Sequence, residues 1–254
     1  MQNWRVLWAA VGAMIAVSSA FAAPSTLADA LHLWSSVLTR FVDVQGRTDF
    51  KALAADRGSL DEFVGYVARV SPTTSPEIFP RPADVLAYHL NAYNALAMKG
   101  VIDEGVTDGF TSFFKRQLFF RFRKVTVDGV SMSLSTYEND VIRPLGDARV
   151  HFALNCMVRS CPRLPQEAFS ADELEAQLEA AAREFVNDPR NVRVDAAAHE
   201  VWLSSIFDFY TKDFAADGKR DGLIAYVNRY RDERIDPGFA VKFIPYDWTL
   251  NRQP

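Results

Sequence analysis

Apolar positions along the chain recur with a helical period in most of its length and with a period of two in a few short stretches. STLADALHLWSSVLTRFVD, residues 25–43, sets Leu27, Leu31, Trp34 and Leu38 at helical spacing behind a cap at Ser25 or Thr26. GSLDEFVGYVARV, residues 58–70, reads as a second helix that Ser71-Pro72 ends. Prolines 72, 76, 80 and 82 then mark a surface loop. ADVLAYHLNAYNALAMK, residues 83–99, is the strongest helix. LSTYENDVIRPL is a short helix ended by Pro144, and LSSIFDFYTKDF and DGLIAYVNRY are two more. SADELEAQLEAAAREFVND is a long amphipathic helix with Ser170 as cap and Glu173 three residues on, the capping-box spacing.

Alternation from Phe119 to Met132, with Asp128-Gly129 between the arms, predicts a hairpin. Val192–Val194 and Val201–Leu203 predict a second hairpin, RVHFALNC at 149–156 a strand, and VQGRTDF a turn with a short extended piece. Helices dominate. The fold class expected is α+β, a helix-rich single domain with a small, mostly antiparallel sheet.

Ahead of this pattern lies a segment of another kind. Arg5 precedes an uncharged apolar run from Val6 to Val17, and Ala20-Phe21-Ala22 has the small-x-small form of a processing site. A spanning helix needs about 20 apolar residues and this run offers about 12, so residues 1–22 are expected to be a signal peptide and 23–254 the mature domain. The expected location is therefore periplasmic or secreted. No later segment reads as a membrane span. A net charge of −4 gives no basic footprint, so nucleic acid is not an expected partner. The apolar half of the composition is enough to build a core without covalent staples.

Export gives weight to Cys156 and Cys161, the only cysteines, because an oxidising compartment favours pairing them. Read as a strand, residues 149–156 put Val150, Phe152, Leu154 and Cys156 on an apolar face. His151, Ala153 and Asn155 fall on the other, polar one. That separates His151 from Cys156 by roughly 16 Å, whereas a turn over Met157–Ser160 brings Cys161 back beside His151. Two readings stay open. One is a Cys156–Cys161 disulfide closing a small loop. The other is a reactive Cys161 thiol with His151 as base and Asn155 beside it, Arg159 favouring the thiolate. Two Cys and one His lack a fourth ligand, so neither a metal nor another cofactor is expected. Asn91 and Asn94, three apart on an apolar helix, read as a buried amide network or a binding face. Glu138 and Arg143 read as an ion pair or binding residues. His89 reads as structural, His32 and His199 as surface residues. Asp208, Asp213 and Asp247 read as caps or hydrogen-bond anchors.

NAYNALAM, VHFALNCMVRSCPRL, LSSIFDFYTKDF and IPYDWTLN follow one another in order, and STYENDVIRPL carries Glu138 and Arg143. Together, over about residues 45–251, they resemble the family of domain of unknown function 547. The resemblance brings no established activity. It implies an exported or modular domain whose motif positions here are Asn91, Asn94, His151, Cys156 and Cys161. The family usually has an aromatic residue at the position of His89. A helix followed by a His-bearing strand is also loosely similar to papain-like and transglutaminase-like folds, although the helix there carries Cys and here carries Asn.

The function expected is a cell-envelope module binding a ligand or partner, with the two cysteines joined. The alternative is a thiol-dependent hydrolase or acyl transferase using Cys161 and His151. The N-terminal pattern makes its own prediction. Protein recovered from the envelope fraction should begin at Ala23 on N-terminal sequencing, and recovery of intact Met1 in membranes would contradict it.

Overall fold

In the computed structural model, residues 25–215 and 217–254 are described; the expected signal segment lies outside them. Helix α1, Leu27–Phe41, starts where Thr26 and Asp29 cap each other's backbone N–H groups. It buries Ala30, Trp34, Val37, Leu38 and Phe41 along one face. A short α2, Phe50–Ala55, was not expected from the pattern; the Asp49 side chain caps it. Helix α3, Gly58–Val67, follows.

Helix α4, Pro82–Asp103, begins with Pro at its first position, and Asp84 accepts from the Arg81 N–H at 2.9 Å. Every residue from Leu86 to Met98 is buried, so α4 has no solvent face and forms the axis of the first core. A fully buried helix must satisfy its polar side chains internally. Tyr88 donates to the Val70 and Val67 carbonyls, His89 Nδ1 lies 2.7 Å from the Tyr137 hydroxyl, and Asn91 and Asn94 bond to the backbone at Phe169 and at Ala153.

The first hairpin forms, and its turn has the positive φ values of a type I′ turn at Asp128 and Gly129. Strands β1, Lys124–Val127, and β2, Val130–Ser133, are shorter than the alternation suggests. Residues 118–122 are not strand. Helix α5, Phe113–Gln117, runs on through a π turn over Leu118–Phe122. Phe119 packs at 4.4 Å from Phe110 and at 4.8 Å from its neighbour Phe120, so two consecutive side chains point inward and alternation fails. Gly100 makes room, since a Cβ there would sit 2.8 Å from the Phe119 ring. Residues 134–145 are helical throughout, as α6, Leu134–Thr136, a π turn over Tyr137–Ile142 and a 3-10 turn over Arg143–Leu145. The run ends at Gly146, with φ of 86°, and passes through Pro144.

The expected strand at 149–156 is a 3-10 turn, Ala148–Phe152, opened by the Asp147 side chain accepting from the Arg149 N–H. Val150 to Asn155 are buried in succession, so the segment has no solvent face to alternate with. Its backbone bonds to Asn94 instead of to a neighbouring strand.

Helix α7, Leu174–Asn187, starts behind Ser170, whose Oγ accepts from the Glu173 N–H; Gln177, not Glu173, returns the bond to the Ser170 N–H. Strands β3, Val192–Asp195, and β4, Glu200–Ser204, form the second hairpin with Val194 opposite Val201. Leu203 and Ser204 belong to β4, and the helical stretch after them breaks at Tyr210 into α8, Ser205–Phe209, and α9, Thr211–Phe214. Helix α10, Asp221–Val227, leads to β5, Ala240–Ile244, which pairs parallel to β4. The architecture is α+β, with one two-stranded antiparallel sheet and one mixed three-stranded sheet.

Buried side chains fall into two clusters, one around α4 and one around α7, β3–β5 and α8–α10. Residues 150–154 straddle them: Val150, Ala153 and Leu154 join the first and Phe152 the second. The C-terminal segment crosses the same boundary. Leu250 bridges to Val158, Thr249 to Gly109 and Arg252 to Thr48. At Gly109, with φ of 90°, a Cβ would lie 2.3 Å from the Trp248 carbonyl oxygen, so only glycine admits this crossing.

Two expectations follow. Asn91→Ala and Asn94→Ala each gain a few tenths of a kcal/mol in helix propensity yet should lose about 1–3 kcal/mol of stability, because each orphans buried backbone groups. Denaturant midpoints test this, and unchanged midpoints would contradict it. Burial pushes the His89 imidazole down to about 4. The unfolded chain therefore takes up this proton first, near ~6.5, and stability falls as pH drops from there toward the folded value. The loss should reach about 3 kcal/mol, and His89→Phe should flatten that limb of the stability–pH curve. An equally steep acid limb in the variant would rule His89 out as its source.

Candidate functional site

The segment at the boundary of the two cores is built from α4 outward. Asn94 donates to the Ala153 carbonyl at 3.0 Å and accepts from the Asn155 N–H at 2.8 Å. Asn155 in turn donates to the Pro162 carbonyl and accepts from the Met157 N–H, both at 2.7 Å, closing the 155–162 loop. Met157 takes a positive φ of 66° at its corner. The loop's outer backbone is held by the C-terminal segment: Arg159 N–H donates to Thr249, Ser160 N–H to Asp247, and Asn251 N–H to Met157. One turn earlier on α4, Asn91 accepts from Trp34 and from the Phe169 N–H and donates to the Phe169 carbonyl. Asn91, Asn94 and Asn155 are each 1 % exposed, and their amides are occupied by the protein's own backbone.

This frame brings the Cys156 and Cys161 sulfurs to disulfide distance, with 6.3 Å between the Cα atoms. The Cys156 N–H points at the Cys161 sulfur at 3.0 Å. The Tyr246 hydroxyl touches both sulfurs, at 3.5 Å from Cys156 and 3.4 Å from Cys161.

A small cleft of about 70 Å³ opens beside this pair, lined among others by Cys156, His151, Glu138, Tyr93, Tyr210 and Tyr246. Because residues 149–156 are not a strand, the alternation that set His151 and Cys156 on opposite faces does not hold; they line one cleft. Cys161 instead lines a larger groove of about 1500 Å³ that Arg47, Lys51, Arg159, Arg163 and Asn251 share. Arg159 is exposed on that side.

His151 Nε2 is hydrogen-bonded to Asp213 Oδ2 at 2.7 Å, and its ring stacks on Tyr210 with centroids 3.9 Å apart. Arg143 grips both oxygens of Asp213, at 2.7 and 2.8 Å. Burial would push the Asp213 carboxyl up, but the bonds from His151 and Arg143 outweigh it and hold the group well below the usual carboxylate range. The expected Glu138–Arg143 ion pair is not what forms: Arg143 is taken by Asp213, and Glu138 accepts from the Tyr93 and Tyr210 hydroxyls. Burial first, and then the Glu138 charge, push both phenols up, so they remain donors.

Chemically, the cleft holds a histidine fixed by a carboxylate, a sulfur on its wall, a tyrosine hydroxyl beside that sulfur and a carboxylate between two phenols. His151 Nδ1, the nitrogen Asp213 does not use, has no hydrogen-bond partner among the described residues. Asp213, read from the sequence as a cap or hydrogen-bond anchor, is the partner of His151, and Tyr93, Tyr210 and Tyr246 join the site without having been singled out. The signal was present, since all four lie within the motifs NAYNALAM, LSSIFDFYTKDF and IPYDWTLN, but nothing in those motifs says which residues face His151. Among the described residues no group of His, Cys, Asp and Glu is arranged to hold a metal ion.

The family described as protein of unknown function, DUF547, matches residues 81–186. No curated protein and no solved structure matches the chain. The matched segment begins at α4 and ends in α7, and contains Asn91, Asn94, Glu138, Arg143, His151, Asn155, Cys156, Arg159 and Cys161. Asp213 and Tyr246 reach the cleft from beyond it. The match to this family of proteins of unknown function thus covers the helix amides, the histidine and the cysteine loop.

Proposed function

We propose that the domain is a thiol-dependent hydrolase or acyl transferase that is latent while Cys156 and Cys161 are joined. The observation that carries the reading is the His151–Asp213 hydrogen bond inside the cleft that Cys156 also lines. On this reading the nucleophile is Cys156, which lines the cleft with His151, in place of Cys161. An exported location, expected from residues 1–22, would keep the pair oxidised until a thiol reductant reaches it.

A two-electron thiol reductant converts the disulfide to two thiols. Cys156 then gives its proton to His151 Nδ1, and Asp213 stabilises the imidazolium through Nε2–H. The sulfur adds to the carbonyl carbon of an acyl donor, and the leaving group departs with the proton from His151. Water or an acceptor nucleophile then releases the acyl group. The Tyr246 hydroxyl, beside both sulfurs, donates to the thiolate. The volume of the cleft limits what enters it to a small acyl group or the end of a chain. Glu138 disfavours an anion there.

A second reading keeps the disulfide permanently and makes the domain a module for an envelope partner or a small ligand. It is supported by the sulfur distance and by the larger groove on the Cys161 side.

Alkylation of the thiols as a function of pH separates the two. The purified protein should show no free thiol before reduction. After reduction, Cys156 should react at a lower pH than an ordinary thiol of pKa ~8.5, and His151→Ala should remove that advantage. Asp213→Asn should weaken it in the same direction. An ordinary profile at Cys156 that ignores both substitutions would leave only the binding module.

A further inference from the structure

Phe113, Phe114, Leu118 and Phe122 are 60, 77, 63 and 67 % exposed, on α5 and the π turn that continues it. Phe114, Leu118 and Phe122 recur every four residues, which places them along one side of the helical run. The inward side is separately satisfied, since Phe119 and Phe120 pack on Phe110. The outward residues are therefore not leftovers of core packing. Four large apolar side chains crowded outward on ten residues make a patch that monomeric surfaces rarely leave bare.

The charge around the patch says what fits it. Residues 111–127 contain Lys115, Arg116, Arg121, Arg123 and Lys124 and no Asp or Glu, in a protein whose net charge is −4. Arg123 is bound to Asp103 and Glu104, and Arg116 to the Phe110 and Thr111 carbonyls. Lys115, Arg121 and Lys124 are exposed and make no ion pair among the described residues. Phenylalanines interleaved with uncommitted Lys and Arg match the interface of an anionic bilayer: rings enter the acyl boundary and the long cationic side chains reach the headgroups. A protein interface core, by contrast, is depleted in Lys.

We propose that residues Phe113–Lys124 dock this domain peripherally on an anionic lipid surface, with Phe113, Phe114, Leu118 and Phe122 inserted and Lys115, Arg121 and Lys124 on the headgroups. The contact is a surface one, since no described helix is long and apolar enough to cross a membrane. It rests on observations separate from the thiol reading. The patch adjoins a wall of the cleft, where the Arg116 guanidinium lies 4.8 Å over the Trp248 ring.

The test is co-sedimentation of protein purified from the cells that make it, and so carrying its natural N-terminus, with vesicles of phosphatidylcholine alone or mixed with phosphatidylglycerol. The mixed vesicles should bind it at least tenfold more tightly, and raised salt should reduce the difference. Phe113→Ser/Phe114→Ser/Phe122→Ser and, separately, Lys115→Glu/Arg121→Glu/Lys124→Glu should each lose that preference while keeping the parent's melting temperature. Binding that is absent, indifferent to phosphatidylglycerol, or unchanged in both variants overturns the proposal. A concentration-dependent dimer that the Phe variant abolishes, without vesicle binding, would assign the patch to a second copy of the chain.

Discussion

Asn94 lies in a helix with no solvent face, and its amide is spent on the backbone of a segment that belongs to no sheet. Residues 150–155 are buried in succession between two hydrophobic clusters. Their peptide groups need partners, and a 3-10 turn supplies only some. Asn94 supplies partners for the Ala153 carbonyl and the Asn155 N–H, and Asn155 passes the constraint on to Pro162 and Met157. The meeting of the two sulfurs and the entry of His151 into the same cleft as Cys156 both follow from that chain of amides. Asn91 does the same service for Phe169, where the chain turns toward α7.

The second half of the site comes from the far end of the chain. Asp213 is delivered by α9, after the break at Tyr210, and Tyr246 and Trp248 by the segment that threads past Gly109. A carboxylate held by both Arg143 and His151 fixes the ring's tautomer and its tilt, and the stack on Tyr210 fixes its plane. The site is thus a seam: amides from the first core set the cysteine loop, and side chains from the second orient the histidine. Peptide bonds near the sulfurs and the phenols around Glu138 leave few degrees of freedom in the cleft.

Helices α1, α3, α4 and α7 and both hairpins were legible because each carries its own periodicity and its own cap or turn residue. Thr26, Ser170 and Asp128-Gly129 are local signals with local consequences. The strand expected at 149–156 failed for a physical reason. Alternation of apolar and polar types implies two environments, and this segment has one. The same holds at Phe119-Phe120, where both rings turn inward, Phe119 over Gly100 and Phe120 onto Phe110. Asn91 and Asn94 were visible as polar residues out of place on an apolar helix. Asp213 was not, because a carboxylate becomes a histidine's partner only through a contact 62 residues apart in sequence.

The proposed mechanism requires the amide frame to set Cys156, and not Cys161, against the histidine held by Asp213. Brief treatment of the reduced protein with an activated small ester such as p-nitrophenyl acetate, followed by peptide mapping by mass spectrometry, tests it directly. An acetyl group is expected on Cys156, greatly diminished in Asp213→Asn. Acetylation on Cys161 alone, or equal slow labelling of both thiols with and without Asp213, would contradict it.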